Sequence, residues 1–242
     1  MIQNAQKNIF NKYIVYRDGN YPFPAESVAV FCFLLSIQAV ERISGPVLEL
    51  GVEHGGTAFL LAQSIEHNEK IVLVDLKKSE RFKKTFEKLP FELQSKFIFF
   101  ETNSRNPNLD NVVTSDRFRF IHIDAGHSKS DVLHDAKRFG ELLIDKGVTC
   151  FDDVFEIRWP GVTEALFEFL PKSRISPFLI VNRKLYCCKD KDHSFYYKKI
   201  LHYIDNVSTF GNVRFWEETL LGKDLIVAKI DARHSMLDGP IK

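Results

Sequence analysis

Apolar and polar positions along this chain follow two alternating periods. Runs of β-branched and aromatic residues at 47–51, 71–75, 97–101, 118–124 and 148–152 read as buried strands, and helical spacing occupies 57–66, 79–88, 108–114 and 128–144, with a further helix after Pro160. The 128–144 segment is the clearest: Ser128 and Asp131 make a capping box, Val132, Leu133, Ala136, Phe139 and Leu143 recur at helical intervals, and Gly147 ends the connection. Such alternation predicts successive βαβ units, with the first five strands parallel. Less regular strands follow at 178–188 and 225–230, and the polar tail from Ala232 is expected to fray. Ahead of the sheet, Pro22 and Pro24 separate a polar, tyrosine-bearing leader from an apolar helix at 25–43.

A length of 242 residues with 45% hydrophobic content suits one sizeable core. We expect a single domain, with a helical cap segment at 1–45, a ligand-binding core at 46–153, and a C-terminal half at 154–242 that completes the sheet and adds hairpins. A formal charge of +1 leaves no electrostatic footprint for nucleic acid or an acidic membrane, so the expected partner is a small molecule. The uncharged stretch at 27–40 contains Ser36 and Gln38 and is shorter than the roughly 20 residues of a spanning helix. No export signal is evident, and Cys32, Cys150, Cys187 and Cys188 form neither a disulfide framework nor zinc spacing, so a cytoplasmic location without structural zinc is expected.

The loop Leu48-Glu49-Leu50-Gly51-Val52-Glu53-His54-Gly55-Gly56-Thr57 joins a strand to a helix through glycines, which let backbone approach a ligand while the helix start offers free N–H groups. A pyrophosphate-binding loop needs a glycine where Glu53 stands, and a carboxylate there repels phosphate while tolerating a sulfonium and an ammonium. The loop therefore favours S-adenosylmethionine over NAD. Asp75, closing the second strand, is placed to accept ribose hydrogen bonds, a feature the two cofactors share. A tight turn without ligand is the alternative.

Asp124 closes the fourth strand, and Asp152 and Asp153 close the fifth. Neighbouring strand ends lie roughly 4.8 Å apart. Three uncompensated carboxylates there repel one another, and a divalent cation, Mg²⁺, Ca²⁺ or Mn²⁺, resolves the repulsion. Capping of the following turns is the other reading.

Together, Glu49-x-Gly51-x-x-x-Gly55-Gly56-Thr57, Asp75, Ile123-Asp124-Ala125-Gly126-His127-Ser128 and Phe151-Asp152-Asp153 resemble the class I methyltransferases related to macrocin O-methyltransferase, over residues 47–153. The resemblance implies a doubly wound, Rossmann-like α/β sheet. It also implies cofactor contacts at Glu49, Gly51, Gly55, Gly56, Thr57 and Asp75, with Asn103 and Ser104 near the adenine, and metal ligands Asp124, Asp152 and Asp153, with Mg²⁺ as the expected ion. The family's second aspartate in Asp-Gly-Asp-His, a proposed base, is Gly126 here. Related catechol O-methyltransferases carry a lysine three residues after the metal aspartate, at the position of His127, so His127 is the candidate base or substrate-orienting group, acting with Asp124.

The implied reaction is transfer of a methyl group to a metal-bound hydroxyl of a sugar diol or catechol. Trp159, in a Pro-flanked loop past Asp153, is the candidate acceptor platform. Tyr13, Tyr16, Tyr21, Phe23, the 155–159 loop and the C-terminal hairpins are other expected pocket elements, and Arg158 reads as a solvated arginine. Two alternatives stay open: a hydroxylase-like relative that binds the same cofactor and metal, and a non-catalytic S-adenosylmethionine-binding partner protein. The oligomeric state is not fixed by the motifs, and a homo-oligomer is compatible with them.

Overall fold

The computed structural model describes residues 1–16, 25–66, 68–110, 117–204 and 212–231. The five β-branched runs form β1 (Val47–Leu50), β2 (Ile71–Asp75), β3 (Phe97–Glu101), β4 (Phe118–Ile123) and β5 (Leu143–Phe151), all mutually parallel. Four more strands, β6 (Ile175–Val181), β7 (Lys184–Lys189), β8 (Asn212–Leu220) and β9 (Lys223–Asp231), extend the sheet to the order β3-β2-β1-β4-β5-β7-β6-β9-β8. The chain winds outward from β1 to β3 and then returns to lay β4 on the other side of β1. That reversal opens a crevice beyond the carboxyl ends of β1 and β4, where open α/β sheets take their ligands.

Both sheet faces are covered, as continuous apolar strands require. Val47, Ile71, Leu73 and Phe120 pack into one core with Phe31, Leu34 and Tyr196, which belong to α2 (Ala25–Val40) and α8 (His193–Tyr203). Leu48, Leu50, Val72 and Ile121 pack into a second with Val132, Phe139, Val162 and Leu166, from α6 (Lys129–Phe139) and α7 (Pro160–Phe169). The polar leader forms α1 (Ile2–Tyr16), which packs on α2, and α3 (Gly56–Ala62), α4 (Glu80–Phe86) and α5 (Phe91–Gln94) follow β1 and β2.

Three boundaries differ from expectation. The helix predicted over 128–144 ends at Phe139, and β5 starts at Leu143, because Phe118 pairs with Leu143 and Phe120 next with Val148. The intervening residues bulge, with Lys146 at φ 58°. Leu143, apolar at helical spacing, serves the strand instead. The helix expected at 108–114 begins as one 3₁₀ turn, Pro107–Leu109, and residues 111–116 lie outside the described residues. The run at 178–188 splits into β6 and β7 at a turn where Asn182 takes φ 54°. Because β7 runs antiparallel to β5 with Leu185 opposite Phe151, this turn delivers Arg183 and Lys184 to the carboxyl end of β5.

Candidate active site

The crevice at the reversal is a cleft of about 1040 Å³ bordered by Glu49, Asp75, Ser104, Asp124, His127 and Trp159. Gly51 has φ +82°, and a Cβ there would stand 1.9 Å from the Asp124 carbonyl oxygen, so only glycine lets the β1 and β4 ends meet. Asp75 Oδ2 accepts hydrogen bonds from the Val52 and Glu53 backbone N–H groups at 2.7 and 2.8 Å, which pins the glycine loop. Gly56 and Thr57 line the cleft with Asn103 and Ser104. Gly55 does not; it packs beneath the loop, where an added Cβ would press on Phe59 and Phe82. The Glu53 side chain points into solvent beside His54.

Glu49 is buried, and one oxygen accepts from His122 Nδ1 at 3.1 Å while Oε2 has no hydrogen-bond partner. Burial raises its pKa. Asp135, which also lines the cleft, leaves Oδ1 unpartnered and is pushed up to about 6 by burial, against a lowering contribution from Ser104. An orphaned carboxylate oxygen inside a cleft calls for a donor or cation from a ligand.

The three aspartates do not stand alone. Asp152 lies behind the cleft wall, bonded to the buried Lys184 ammonium and 3.7 Å from His122 Nε2. Burial raises Asp152, yet His122 and Lys184 outweigh it and hold the carboxyl well below the usual range. Burial and Lys184 push the His122 imidazole down, but Asp152 and Glu49 hold it up at about 9. His122, fully buried in β4, is the charged link between two strand-end carboxylates.

Asp153 sits in left-handed backbone at φ 55°, accepts from His127 Nε2 at 2.9 Å, and pairs with Arg183 at 3.2 Å. The same imidazole nitrogen is 3.7 Å from Asp124. The Asp124 and Asp153 carboxylates raise the pKa of His127 against a partial burial penalty. The Asp124 carboxyl is raised by burial and by the Asp152 charge. Trp159 stacks on His127, with ring centroids 4.8 Å apart.

An ideal Cβ at Gly126 would meet Asp131 Cβ at 2.7 Å, so that position has no room for an aspartate. Asp131 borders the cleft instead, tied to Ser128 and Arg105. Arg158 lines the cleft as an exposed arginine forked onto Glu156. Tyr13 is a correction: it is buried in the core with α2, on the apolar stripe of α1, and not in the cleft. Tyr21 and Phe23 lie outside the described residues, as does the Tyr16 side chain. The hairpin β8–β9 occupies the far sheet edge and, among the described residues, adds none to the cleft. Sequence reading missed Lys184 and Arg183, whose only signal was two basic residues after a turn between strands.

Residues 48–154 match the family model described as a methyltransferase domain. This span runs from β1 through the strand-end aspartates, the part of the chain that builds the cleft. That span is a methyltransferase domain of the class I, S-adenosylmethionine-dependent kind. An O-methyltransferase from Bacillus cereus in complex with SAH superposes with a TM-score of 0.51 at 16% identity, covering 76% of this chain and 89% of that one. MycE methyltransferase from the mycinamycin biosynthetic pathway, in complex with Mg, SAH and mycinamycin VI, gives 0.55 at 14% identity, covering 75% of this chain and 53% of that one. At these identities the likeness establishes the methyltransferase fold. No curated protein matches the chain. Among the described residues, no helix of this methyltransferase is long and apolar enough to cross a membrane.

Proposed function

We propose that this methyltransferase moves the methyl group of S-adenosylmethionine to a hydroxyl oxygen of a small cytoplasmic acceptor, a sugar diol or catechol, with a divalent cation, Mg²⁺, beside the oxygen. The observation that carries the reading is the Glu49 oxygen left without a partner in a cleft that runs from the Asp75-pinned loop to the Trp159–His127 stack. A sulfonium-bearing amino acid supplies an electrophilic methyl and a cationic group that Glu49 can receive. Gly51 and Gly56 bring backbone to the cofactor, Asp75 has its Oδ1 left for the ribose, and Asn103 and Ser104 with Asp135 border the adenine end.

The donor set fits a divalent cation in part. Ligand atoms of Asp124, His127 and Asp153 lie within 4.8 Å of one another, as do those of His122, Asp124 and Asp152. Asp152 is already committed to Lys184, so the two cleft-facing carboxylates of the first set, Asp124 and Asp153, are the ones we assign to the ion, with Asp152 holding its charge balance from behind and His127 kept as the base. A cation there lowers the pKa of a neighbouring hydroxyl. Trp159 orients the acceptor ring, and the His127–Asp153 pair faces the hydroxyl proton. Much of the rate then comes from positioning.

The test is methyl transfer from labelled S-adenosylmethionine to a panel of sugar diols and catechols, with and without Mg²⁺. His127→Ala is expected to lower turnover about a hundredfold. Binding of S-adenosylhomocysteine with no turnover on any diol would favour a non-catalytic partner role, and turnover untouched by chelation would remove the metal.

A further inference from the structure

The outer edge of the sheet carries a pattern that the methyl-transfer site does not use. Among the described residues β8 is the terminal strand, nine residues long, paired on one side only, and in unbroken register with β9 from Asn212↔Asp231 to Leu220↔Lys223. Proteins usually blunt such edges with proline, bulges or inward charges. Residues 212–220 contain no proline and the pairing shows no bulge. Phe215 and Trp216 are instead 41% and 46% exposed.

The turn fixes which backbone groups face outward. Leu221 and Gly222 both have positive φ, 53° and 74°, as a two-residue type I′ turn requires. The flanking pair Leu220↔Lys223 is then a hydrogen-bonded pair, and alternation makes Glu218↔Leu225, Trp216↔Val227 and Arg214↔Lys229 hydrogen-bonded too. The N–H and C=O groups of Phe215, Glu217 and Thr219 therefore point to the open edge.

We propose that β8 pairs antiparallel with β8 of a second copy of this chain, about a twofold axis through Trp216, which joins two sheets into one. In that register Phe215 and Glu217 of the second copy meet as hydrogen-bonded pairs through their outward groups. Trp216 faces Trp216 at a non-hydrogen-bonded position, where Cα atoms approach to about 4.5 Å and side chains touch.

Arg214, Trp216 and Glu218 share one sheet face, so each Arg214 lies opposite Glu218 of the second copy. Within one strand those two residues stand about 13 Å apart, too far to pair. Arg214 also has the like-charged Lys229 as its cross-strand neighbour, a repulsion that the incoming carboxylate relieves. Axes through Phe215 or Glu217 set Arg214 against Trp216 or Leu220 and match no charges. The strand is thus self-complementary in one register, which is what an isologous interface demands.

Sedimentation velocity of the full chain at low salt tests the register. The wild type is expected to dimerise, and Arg214→Glu and Glu218→Arg are each expected to weaken association at least tenfold, because each sets like charges face to face. An equimolar mixture of the two single variants regains opposite charges at both positions and is expected to form a one-to-one heterodimer. The mixture also shows that each variant is folded, which circular dichroism melts check separately. A wild type that stays monomeric up to its highest soluble concentration overturns the proposal. So do single variants that dimerise as the wild type does.

Discussion

At the scale of single residues, the site is built on charges balanced away from water. Lys184, delivered by the β6–β7 turn, lies against Asp152, and removal of one member of a buried pair strands the other. Lys184→Met is expected to cost about 3 kcal/mol in urea unfolding; a loss below about 1 kcal/mol would show that His122 alone satisfies Asp152. Asp135 has the opposite balance. Its folded pKa of about 6 lies above the ordinary 3.8, so unfolding releases a proton and its contribution to stability falls as pH rises between those values. Asp135→Asn is therefore expected to stabilise the chain at pH 7, by on the order of 2 kcal/mol, and to be near neutral at pH 3. Equal effects at both pH values would assign the change to packing.

At the scale of elements, α6 sets the strand-end geometry. The Ser128 hydroxyl accepts from the Asp131 N–H at 3.2 Å and donates to its carboxylate at 2.6 Å, and the helix then returns the chain to β5 beside β4. Ser128→Ala is expected to lose about 1 kcal/mol of stability. It also leaves Asp131, which crowds Gly126 at the cleft, held by Arg105 alone. A larger fall in methyl transfer than in thermal stability would show that this cap positions the site.

At the scale of the whole molecule, the methyltransferase fold places its ligand cleft across the β1–β4 reversal, so cofactor binding ties together elements from both halves of the doubly wound core. S-adenosylhomocysteine at about 100 times its dissociation constant is expected to add about 2.7 kcal/mol of stability, seen as a raised Tm. NAD is expected to leave Tm unchanged. A shift with NAD and none with S-adenosylhomocysteine would overturn the cofactor assignment. Asp75→Ala is expected to abolish the shift, since the loop it pins at Val52 and Glu53 loosens as well.

Local pattern determined most of the core by itself. β-branched runs separated by helical spacing dictate a parallel α/β sheet, and the glycine loop, Asp75 and the strand-end aspartates fall at carboxyl ends by simple alternation, so Glu49, Asp75, Asp124, His127 and Asp153 were legible as one site. Tertiary structure decided what each of them touches. Leu143 reads as helix from its spacing, and only its pairing with Phe118 makes it strand. Tyr13 reads as a pocket aromatic until α1 packs it inward. Asp152 reads as one of three strand-end carboxylates, and only an antiparallel strand more than 30 residues later in the sequence, a pairing with no local signature, sets Lys184 against it. Sequence periodicity reports which face of an element is apolar; which buried charges share a low-dielectric space depends on strand order, and that is fixed only when the whole sheet assembles.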